Sequence, residues 1–198
     1  MRLLLITDGA RSVRSVLAAL PRGGAAVQLR ALQIPAGSLL SRARELRPIC
    51  VEFGAKLLVN DRLDVALAAQ ADGVHLPSRG VAPNDVRELF ARAGRDAIVG
   101  VSCHSPEDVA RASKDGADYA VFSPIWEVPN KGPAVGLEAL RAVSRAAPLP
   151  IYALGGVTDQ NAAQAIAAGA RGVACIRFVF DAHDPSAAAV SLWRAVTA

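Results

Sequence analysis

The sequence has few of the residues that mark several common classes of protein. It contains three cysteines among 198 residues, and aromatic residues make up 5% of the chain. Cys50, Cys103 and Cys175 lie far apart and show no CxxC spacing, which argues against a disulfide framework and against a zinc site. Cys50 and Cys175 lie in apolar stretches, where a cysteine is usually a small core residue. These features favour the cell interior, and we expect a cytoplasmic location.

Long hydrophobic runs are also absent, although hydrophobic residues make up 52% of the chain and its mean hydropathy is +0.28. No run approaches the roughly 18 consecutive apolar residues of a transmembrane helix. The apolar run at the N-terminus meets Asp8 early, which predicts a first strand rather than a signal peptide. We therefore expect no membrane partner.

A concentrated basic surface is missing as well. The formal net charge is +4 and the isoelectric point about 9.3, but the arginines are scattered along predicted helices, where they usually lie on a solvated face. No basic stripe alternates with aromatic residues, so nucleic acid is not an expected partner. The charge is compatible with a small anionic substrate.

Strand-like and helix-like segments alternate from one end of the chain to the other. The hydrophobic pattern and turn signals predict strands near residues 2–6, 25–29, 56–60, 73–76, 97–101, 118–122, 150–154 and 171–176. They predict helices near residues 11–20, 37–53, 62–70, 84–93, 106–115, 136–146, 159–168 and 185–197. No linker or low-complexity segment divides the chain, which predicts one domain over residues 1–198.

Eight such units predict a compact (β/α)8 TIM barrel, because strict alternation implies a parallel sheet covered by helices. The chain is shorter than the roughly 250 residues typical of this fold, so its loops must be short. The alternative is an open doubly wound sheet. That fold usually carries a glycine-rich fingerprint after its first strand, whereas Thr7-Asp8-Gly9-Ala10-Arg11 stands here.

A barrel gathers its active site at the C-terminal ends of its strands. Gly155-Gly156 follows the predicted seventh strand, where barrels commonly hold a phosphate, and paired glycines expose N–H donors to an anion. The alternative is a tight turn that requires positive φ. Lys131 is a second candidate for holding a phosphate, or else an ordinary solvated lysine.

Three polar residues at other strand ends are candidates for binding or catalysis. Asp61 is either a ligand for a hard cation such as magnesium, or a residue that caps the next helix or pairs with Arg62 or another neighbour. Asn60 offers both a donor and an acceptor to a ligand. His104 lies just beyond its strand and is the better candidate for acid–base chemistry, whereas His75, inside a strand, is expected to be a neutral hydrogen-bonded residue.

Several motifs together resemble one known family, that of thiamine phosphate synthase and its relative, the thiazole tautomerase TenI. They run in order along nearly the whole chain: Gln28-Leu29-Arg30, Val59-Asn60-Asp61-Arg62, Gly73-Val74-His75-Leu76, Gly100-Val101-Ser102-Cys103-His104-Ser105, Ser123-Pro124-Ile125-Trp126, Lys131, Gly136-Leu137-Glu138-Ala139-Leu140 and Ala153-Leu154-Gly155-Gly156-Val157. The resemblance also implies a (β/α)8 barrel.

In the synthase, a hydroxymethylpyrimidine diphosphate is coupled to a thiazole phosphate with magnesium, and pyrophosphate leaves. By resemblance, Asp61 would ligate magnesium and Ser102 would face the pyrimidine. Gly156 and the loop after the eighth strand would hold the thiazole phosphate. The resemblance implies contacts to the pyrimidine diphosphate or its pyrophosphate for Gln28, Arg30, Asn60 and Lys131. It implies no organic cofactor.

The chain departs from the synthase pattern at several positions. Leu32 replaces a usual lysine, and Gly80 replaces a second magnesium-ligating aspartate, which weakens the expectation of magnesium. The leaving pyrophosphate needs its charge neutralised, and a single aspartate with fewer cations would do that poorly. The loop at 128–130 also differs. Arg177 stands where the family has a serine near the eighth strand, and it is a further candidate for holding the phosphate. These departures favour a TenI-like member.

A histidine that tautomerases carry after the sixth strand is missing, because Ser123 and Pro124 stand there. His104, with Ser102, is then the candidate catalytic pair. The alternative is a non-catalytic or regulatory relative that binds a small phosphorylated ligand. The sequence is compatible with a homo-oligomer and does not fix the oligomeric state.

Overall fold

Eight parallel strands close into a barrel in chain order in the computed structural model, which describes residues 1–129 and 131–198. Most strand residues are buried, because the strands face the barrel interior on one side and helices on the other. The strands are β1 (Leu3–Thr7), β2 (Ala25–Leu29), β3 (Lys56–Asn60), β4 (Gly73–Leu76), β5 (Ile98–Cys103), β6 (Tyr119–Phe122), β7 (Ile151–Ala153) and β8 (Gly172–Cys175).

The helices cover the outside of the barrel. They are α1 (Val13–Ala18), α2 (Ala36–Phe53), α3 (Leu63–Ala68), α4 (Pro83–Arg92), α5 (Pro106–Lys114), α6 (Gly136–Ala146), α7 (Ala162–Ala167), α8 (Arg177–Phe180) and α9 (Pro185–Thr197). Local sequence fixes several of their starts. The Ser105 hydroxyl accepts a hydrogen bond from the Asp108 N–H at 3.2 Å, and Pro106 follows it at the first helical position.

Side chains fill the barrel interior, so the barrel is a packed core and not a pore. A separate cluster lies inside the ring of strands: Leu4, Ile6, Ala26, Leu58, Tyr119, Val121, Tyr152 and Ala174. The larger cluster of buried residues lies between the strands and the helices. The inner cluster supports the polar residues that lie above it at the C-terminal end of the barrel.

The predicted (β/α)8 barrel is confirmed, and the observed strands and helices agree with the predicted ones to within a few residues. One helix was not predicted, the four-residue α8 that begins directly after β8. Its sequence, Arg-Phe-Val-Phe, is aromatic and β-branched and resembles a continuing strand. Among the described residues, no helix is long and apolar enough to cross a membrane.

The three cysteines are free and buried, which confirms the core position expected for Cys50 and Cys175. Burial raises the pKa of each thiol, of Cys50, Cys103 and Cys175, to about 12. At neutral pH the thiols are therefore protonated, and Cys103 is no nucleophile although His104 follows it.

Candidate active site

The polar floor is a group of four side chains at the C-terminal end of β2 to β5. It consists of Gln28, Asn60, His75 and Ser102. The register of the barrel brings them together, because Asn60 is paired with His75 and His75 with Gly100, two residues before Ser102. Alternation along each strand then directs all four side chains to the barrel interior.

Gln28 and Asn60 form the first hydrogen-bonded pair of the polar floor. Gln28 Nε2 donates to Asn60 Oδ1 at 2.9 Å, and Gln28 is only 1% exposed. Its other polar atom, Oε1, is buried and has no partner among the described residues. A buried acceptor left unpaired costs about 1–3 kcal/mol, so this atom is a position where a ligand or a water molecule would donate a hydrogen bond.

His75 is the centre of the second group. Its Nε2 lies 2.9 Å from Ser102 Oγ, and its Nδ1 lies 3.0 Å from the Tyr119 hydroxyl. Burial, with a smaller effect from the positive charge of Arg30, lowers the pKa of His75 to about 3. The ring is therefore neutral at pH 7, as expected from its place inside a strand, and a poor match for acid–base catalysis at that pH.

Tyr119 is a member of this group that sequence reasoning missed. Its ring occupies the space beside Gly100, where an added Cβ would lie 2.0 Å from Tyr119 Cζ. Gly100 and Tyr119 are also paired across β5 and β6. The available signal was a glycine inside a predicted strand, which often marks the close approach of another group.

Asp61 and Arg30 lie on the rim of the mouth beside the polar floor, and both are exposed. Asp61 has φ of 58°, and its N–H donates to the His75 carbonyl at 2.9 Å. Neither structural role considered for Asp61, capping α3 or pairing with Arg62, is observed. Arg62 forms its ion pair with Asp64, at 2.6 Å, and α3 has no side-chain cap. Within the described part of the chain, the Asp61 carboxylate has no protein partner and stays available to a ligand.

Gly80 lies in the turn after β4, where the family carries a second acid. Its N–H donates to the Pro77 carbonyl at 3.0 Å, and an added Cβ would lie 2.9 Å from Pro77 Cδ. An aspartate at this position would therefore require the Pro77 ring or the turn to shift. No group of three or more histidine, cysteine or acidic side chains that could hold a metal ion is present among the described residues.

The β6–β8 cavity, on the opposite side of the mouth, has a volume of about 530 Å³. It is lined by the loops that follow β6, β7 and β8, and it brings together four residues that the sequence predicts as phosphate ligands: Lys131, Gly155, Gly156 and Arg177. Arg177 is the first residue of α8, and both cations are exposed. The neighbouring Asn130, part of the departing loop in the sequence, lies outside the described residues.

Gly155 and Gly156 form a tight turn with positive φ, which was one of the two interpretations of this glycine pair. Their φ angles are 96° and 67°. An added Cβ would lie 2.7 Å from Pro124 Cα at the first position and 2.7 Å from Trp126 Cβ at the second. Among the described residues, neither glycine N–H donates to a protein acceptor. The turn therefore also leaves two donors beside the cavity, as an anion site requires.

His104 lies between the polar floor and the β6–β8 cavity. Its Nδ1 donates to the Ser123 carbonyl at 2.8 Å, and Ser123 lines the cavity. The backbone N–H of His104 donates to Asp108 Oδ2 at 3.0 Å. A carbonyl only accepts, so Nδ1 carries the proton of the neutral ring. Nε2 is then the basic nitrogen, and it can accept a proton.

Comparisons with known proteins show similarity to one family over most of the chain. A family model described as thiamine monophosphate synthase matches residues 3–179. A putative thiamine-phosphate synthase of Geobacter sulfurreducens is 43% identical over 191 residues, covering 92% of this chain and 88% of that protein. A thiamine-phosphate synthase of Moorella thermoacetica is 40% identical over 192 residues, covering 96% and 90%.

A solved structure is also similar to this chain in its three-dimensional fold. It is the thiamine phosphate pyrophosphorylase from Pyrococcus furiosus, which is 33% identical and superposes with a TM-score of 0.87. The match covers 98% of this chain and 95% of that one. The similarity therefore includes the whole barrel and both halves of its mouth.

Proposed function

The chain belongs to the thiamine monophosphate synthase family of thiamine biosynthesis, and from this premise we propose that it couples a pyrimidine diphosphate to a thiazole phosphate. One observation carries the proposal. The polar floor and the β6–β8 cavity are two separate surfaces with polar groups on one barrel mouth, with His104 between them. A coupling reaction needs two substrates side by side, whereas a tautomerase needs one.

The pyrimidine would bind over the polar floor. Gln28 Oε1 is a buried acceptor without a partner among the described residues, and it suits an exocyclic amino group. Asn60 has an amide that donates, and Ser102 has a hydroxyl. Arg30 and Lys131, which carry positive charge near the two sides of the mouth, would meet the diphosphate.

The thiazole phosphate would bind in the β6–β8 cavity. The N–H groups of Gly155 and Gly156 would donate to its oxygens, and Arg177 would neutralise part of its charge. This assignment agrees with the usual phosphate position in barrels, at the loops after the seventh and eighth strands and beside a short extra helix. The helix α8 has the matching place in the chain.

Magnesium would be held by Asp61. The fit rests on its exposed carboxylate, which has no protein partner among the described residues and follows directly after Asn60. Magnesium often takes one or two carboxylates and completes its shell with substrate phosphates and water, so a single aspartate is compatible with it. When bound, the ion would supply charge neutralisation to the diphosphate.

In the coupling step, the bond between the pyrimidine methylene carbon and the diphosphate oxygen breaks, and its electron pair leaves with pyrophosphate. The thiazole nitrogen donates its lone pair to the same carbon, which gives a thiazolium product. No general base is needed at that nitrogen. The chain's part is to hold the two rings in line and to place Arg30 and Lys131 near the charge that develops on the leaving group.

A thiazole tautomerase of the TenI type is the second candidate. Its support is His104 Nε2 beside the cavity, which has no partner among the described residues, together with Leu32 and Gly80 in place of two charged family residues. In this reaction Nε2 would take a proton from the thiazole and return it at another position. His104→Ala would then abolish tautomer exchange, whereas it would leave coupling above background.

The deciding experiment supplies the purified chain with both substrates and magnesium and follows thiamine phosphate and pyrophosphate. We expect the two products in equal amounts. No thiamine phosphate above the enzyme-free background would reject coupling. Tautomer exchange would then be followed with the thiazole phosphate alone. A chain that fails both assays yet binds the thiazole phosphate in calorimetry would be a non-catalytic relative.

A further inference from the structure

We infer that Tyr119 is a positioning residue, which acts through His75 to leave the hydroxyl hydrogen of Ser102 free to donate to a bound ligand. The three side chains form a continuous line. The Tyr119 hydroxyl lies 3.0 Å from His75 Nδ1, and His75 Nε2 lies 2.9 Å from Ser102 Oγ. The inference rests on the proposed function only for the identity of the ligand.

The line is built into the barrel and does not depend on flexible loops. Its members stand on β4, β5 and β6, and Gly100 leaves the space that the Tyr119 ring occupies. Beneath it, the Tyr152 ring meets Tyr119 edge to face, with the ring centroids 5.5 Å apart. Tyr119 and His75 are each 3% exposed, so water has little access to their polar atoms.

Hydrogen positions along the line follow from the requirement that a buried donor finds an acceptor. Tyr119 is a neutral phenol, because burial raises its pKa, so its O–H must be a donor. Among the described residues, the acceptor within reach is His75 Nδ1. Tyr119 therefore donates to Nδ1, and the single N–H of the neutral imidazole is at Nε2.

The consequence falls on Ser102. His75 Nε2–H donates to Ser102 Oγ, so the serine oxygen is an acceptor in this contact and its own hydrogen remains available. The opposite arrangement places the imidazole proton on Nδ1. It would leave the Tyr119 O–H buried without an acceptor and would use the Ser102 hydrogen on Nε2. That arrangement has one more unsatisfied buried donor, which makes it the less stable of the two.

The polar floor then presents a donor and an acceptor at separate places. Ser102 offers a hydrogen on the β5 side, and Gln28 offers the lone pair of Oε1 on the β2 side. A heterocycle that carries both a ring nitrogen acceptor and an amino donor matches this arrangement. A ligand with donors only would leave the Ser102 hydrogen unpaired. Tyr119 thus helps select the ligand although it lies below the floor.

The first test measures the tautomer of His75 directly, by long-range proton–nitrogen NMR on nitrogen-15-labelled protein. The chain has three histidines, and His75→Gln assigns the signals. We expect the Nε2–H tautomer in the wild type. In Tyr119→Phe, we expect Nδ1–H to become populated, because nothing then donates to Nδ1. An Nδ1–H tautomer in the wild type overturns the inference. This part of the test requires only the wild type and the assignment variant His75→Gln to fold.

A matched control is available in Tyr152→Phe. This change also removes one buried phenol oxygen, which donates to the Met1 carbonyl at 3.1 Å, but it does not touch His75. We expect its tautomer signals to match those of the wild type. Equal tautomer shifts in both variants would reject a specific role for Tyr119 and would indicate general loosening of the barrel interior.

The second test is kinetic, with the pyrimidine diphosphate varied at fixed thiazole phosphate. We expect Tyr119→Phe to lower kcat/KM for the pyrimidine about tenfold, and Tyr152→Phe to lower it less than twofold. The KM for thiazole phosphate should stay unchanged in both. If the wild type does not couple the substrates, the proposed function fails while the tautomer test still decides the inference. Normal coupling by Tyr119→Phe overturns the inference.

Discussion

The two halves of the barrel mouth are built by different physical means, which fits the two ligands proposed for them. The polar floor uses side chains that hydrogen-bond to one another inside the barrel, at 2.9–3.0 Å. The β6–β8 cavity uses loops, with glycine N–H groups and the exposed cations Lys131 and Arg177. Fixed side chains can distinguish the donors and acceptors of a heterocycle, whereas backbone donors and mobile charges suit a phosphate. Changes to the floor should therefore affect stability, and changes to the cavity mainly affinity.

The largest effect is expected from Gly100→Ala, because the new methyl would overlap the Tyr119 ring. Overpacking of a full core typically costs about 1–3 kcal/mol, and we expect about 3 kcal/mol of unfolding free energy here. Urea unfolding measures it. The control is Gly37→Ala, in α2, where an added Cβ meets nothing within 4 Å. It should be neutral or stabilising by about 0.5–1 kcal/mol. Similar losses in both variants would contradict the role given to Gly100.

The pH dependence of the unfolding free energy should also show the burial of His75 in the polar floor. His75 has a folded pKa of about 3, below its usual unfolded value of about 6.5. Its neutral form is favoured by folding, so its contribution is fully present above pH 6.5 and is lost as pH falls toward 3. The unfolding free energy should fall by about 1.4 kcal/mol per pH unit within that window, from this group alone.

The measurement is urea unfolding at several pH values between 6.5 and 4.5 for three proteins. His75→Gln should lower the slope, whereas His183→Gln, at an exposed position, should keep it. Equal slopes in the wild type and His75→Gln would show that His75 titrates normally in the folded protein.

A smaller change is expected from Gly156→Ala in the β6–β8 cavity. The residue has φ of 67°, and its new methyl would lie 2.7 Å from Trp126 Cβ. Strain of this kind costs about 1–3 kcal/mol, and relief by movement of the loop would misplace its N–H donors. We expect thiazole phosphate to bind about tenfold more weakly in calorimetry. Gly132→Ala, where an added Cβ meets none of the described residues within 4 Å, is the control and should bind normally.

The sequence predicts the positions at strand ends better than the contacts between them. Gln28, Asn60 and Ser102 could be placed at the mouth because hydrophobic runs end there and parallel strands share one C-terminal edge. The contact between Tyr119 and His75 could not be predicted. Gly100 indicated that some group lies close to its strand, but which side chain fills that space depends on the stagger of the barrel, which no local pattern contains.

Local backbone geometry is a second feature that the sequence did not predict. The left-handed conformation of Asp61 and the turn at Gly80 follow from neighbouring strands and from Pro77, so their roles were open in the sequence. The helix α8 has only four residues, too few for a periodic pattern. The family motifs identified Asp61 and Gly80 as residues of interest, and the structure showed their backbone conformation and contacts.

The smallest predicted effect, from Arg177→Gln, gives the sharpest test of the comparison between the two halves. Arg177 is exposed at the start of α8 and lines the cavity. Removing an exposed charge should cost about 1 kcal/mol of phosphate binding, or about fivefold in affinity. Arg171→Gln, at an exposed position before β8, changes the net charge equally and should have no such effect.

Because surface charges are screened by salt, the difference in phosphate affinity between the two variants should shrink as ionic strength rises. Stability should stay within about 0.5 kcal/mol of the wild type in both. A large loss of stability in Arg177→Gln would mean that this half, like the polar floor, is held together by its binding residues.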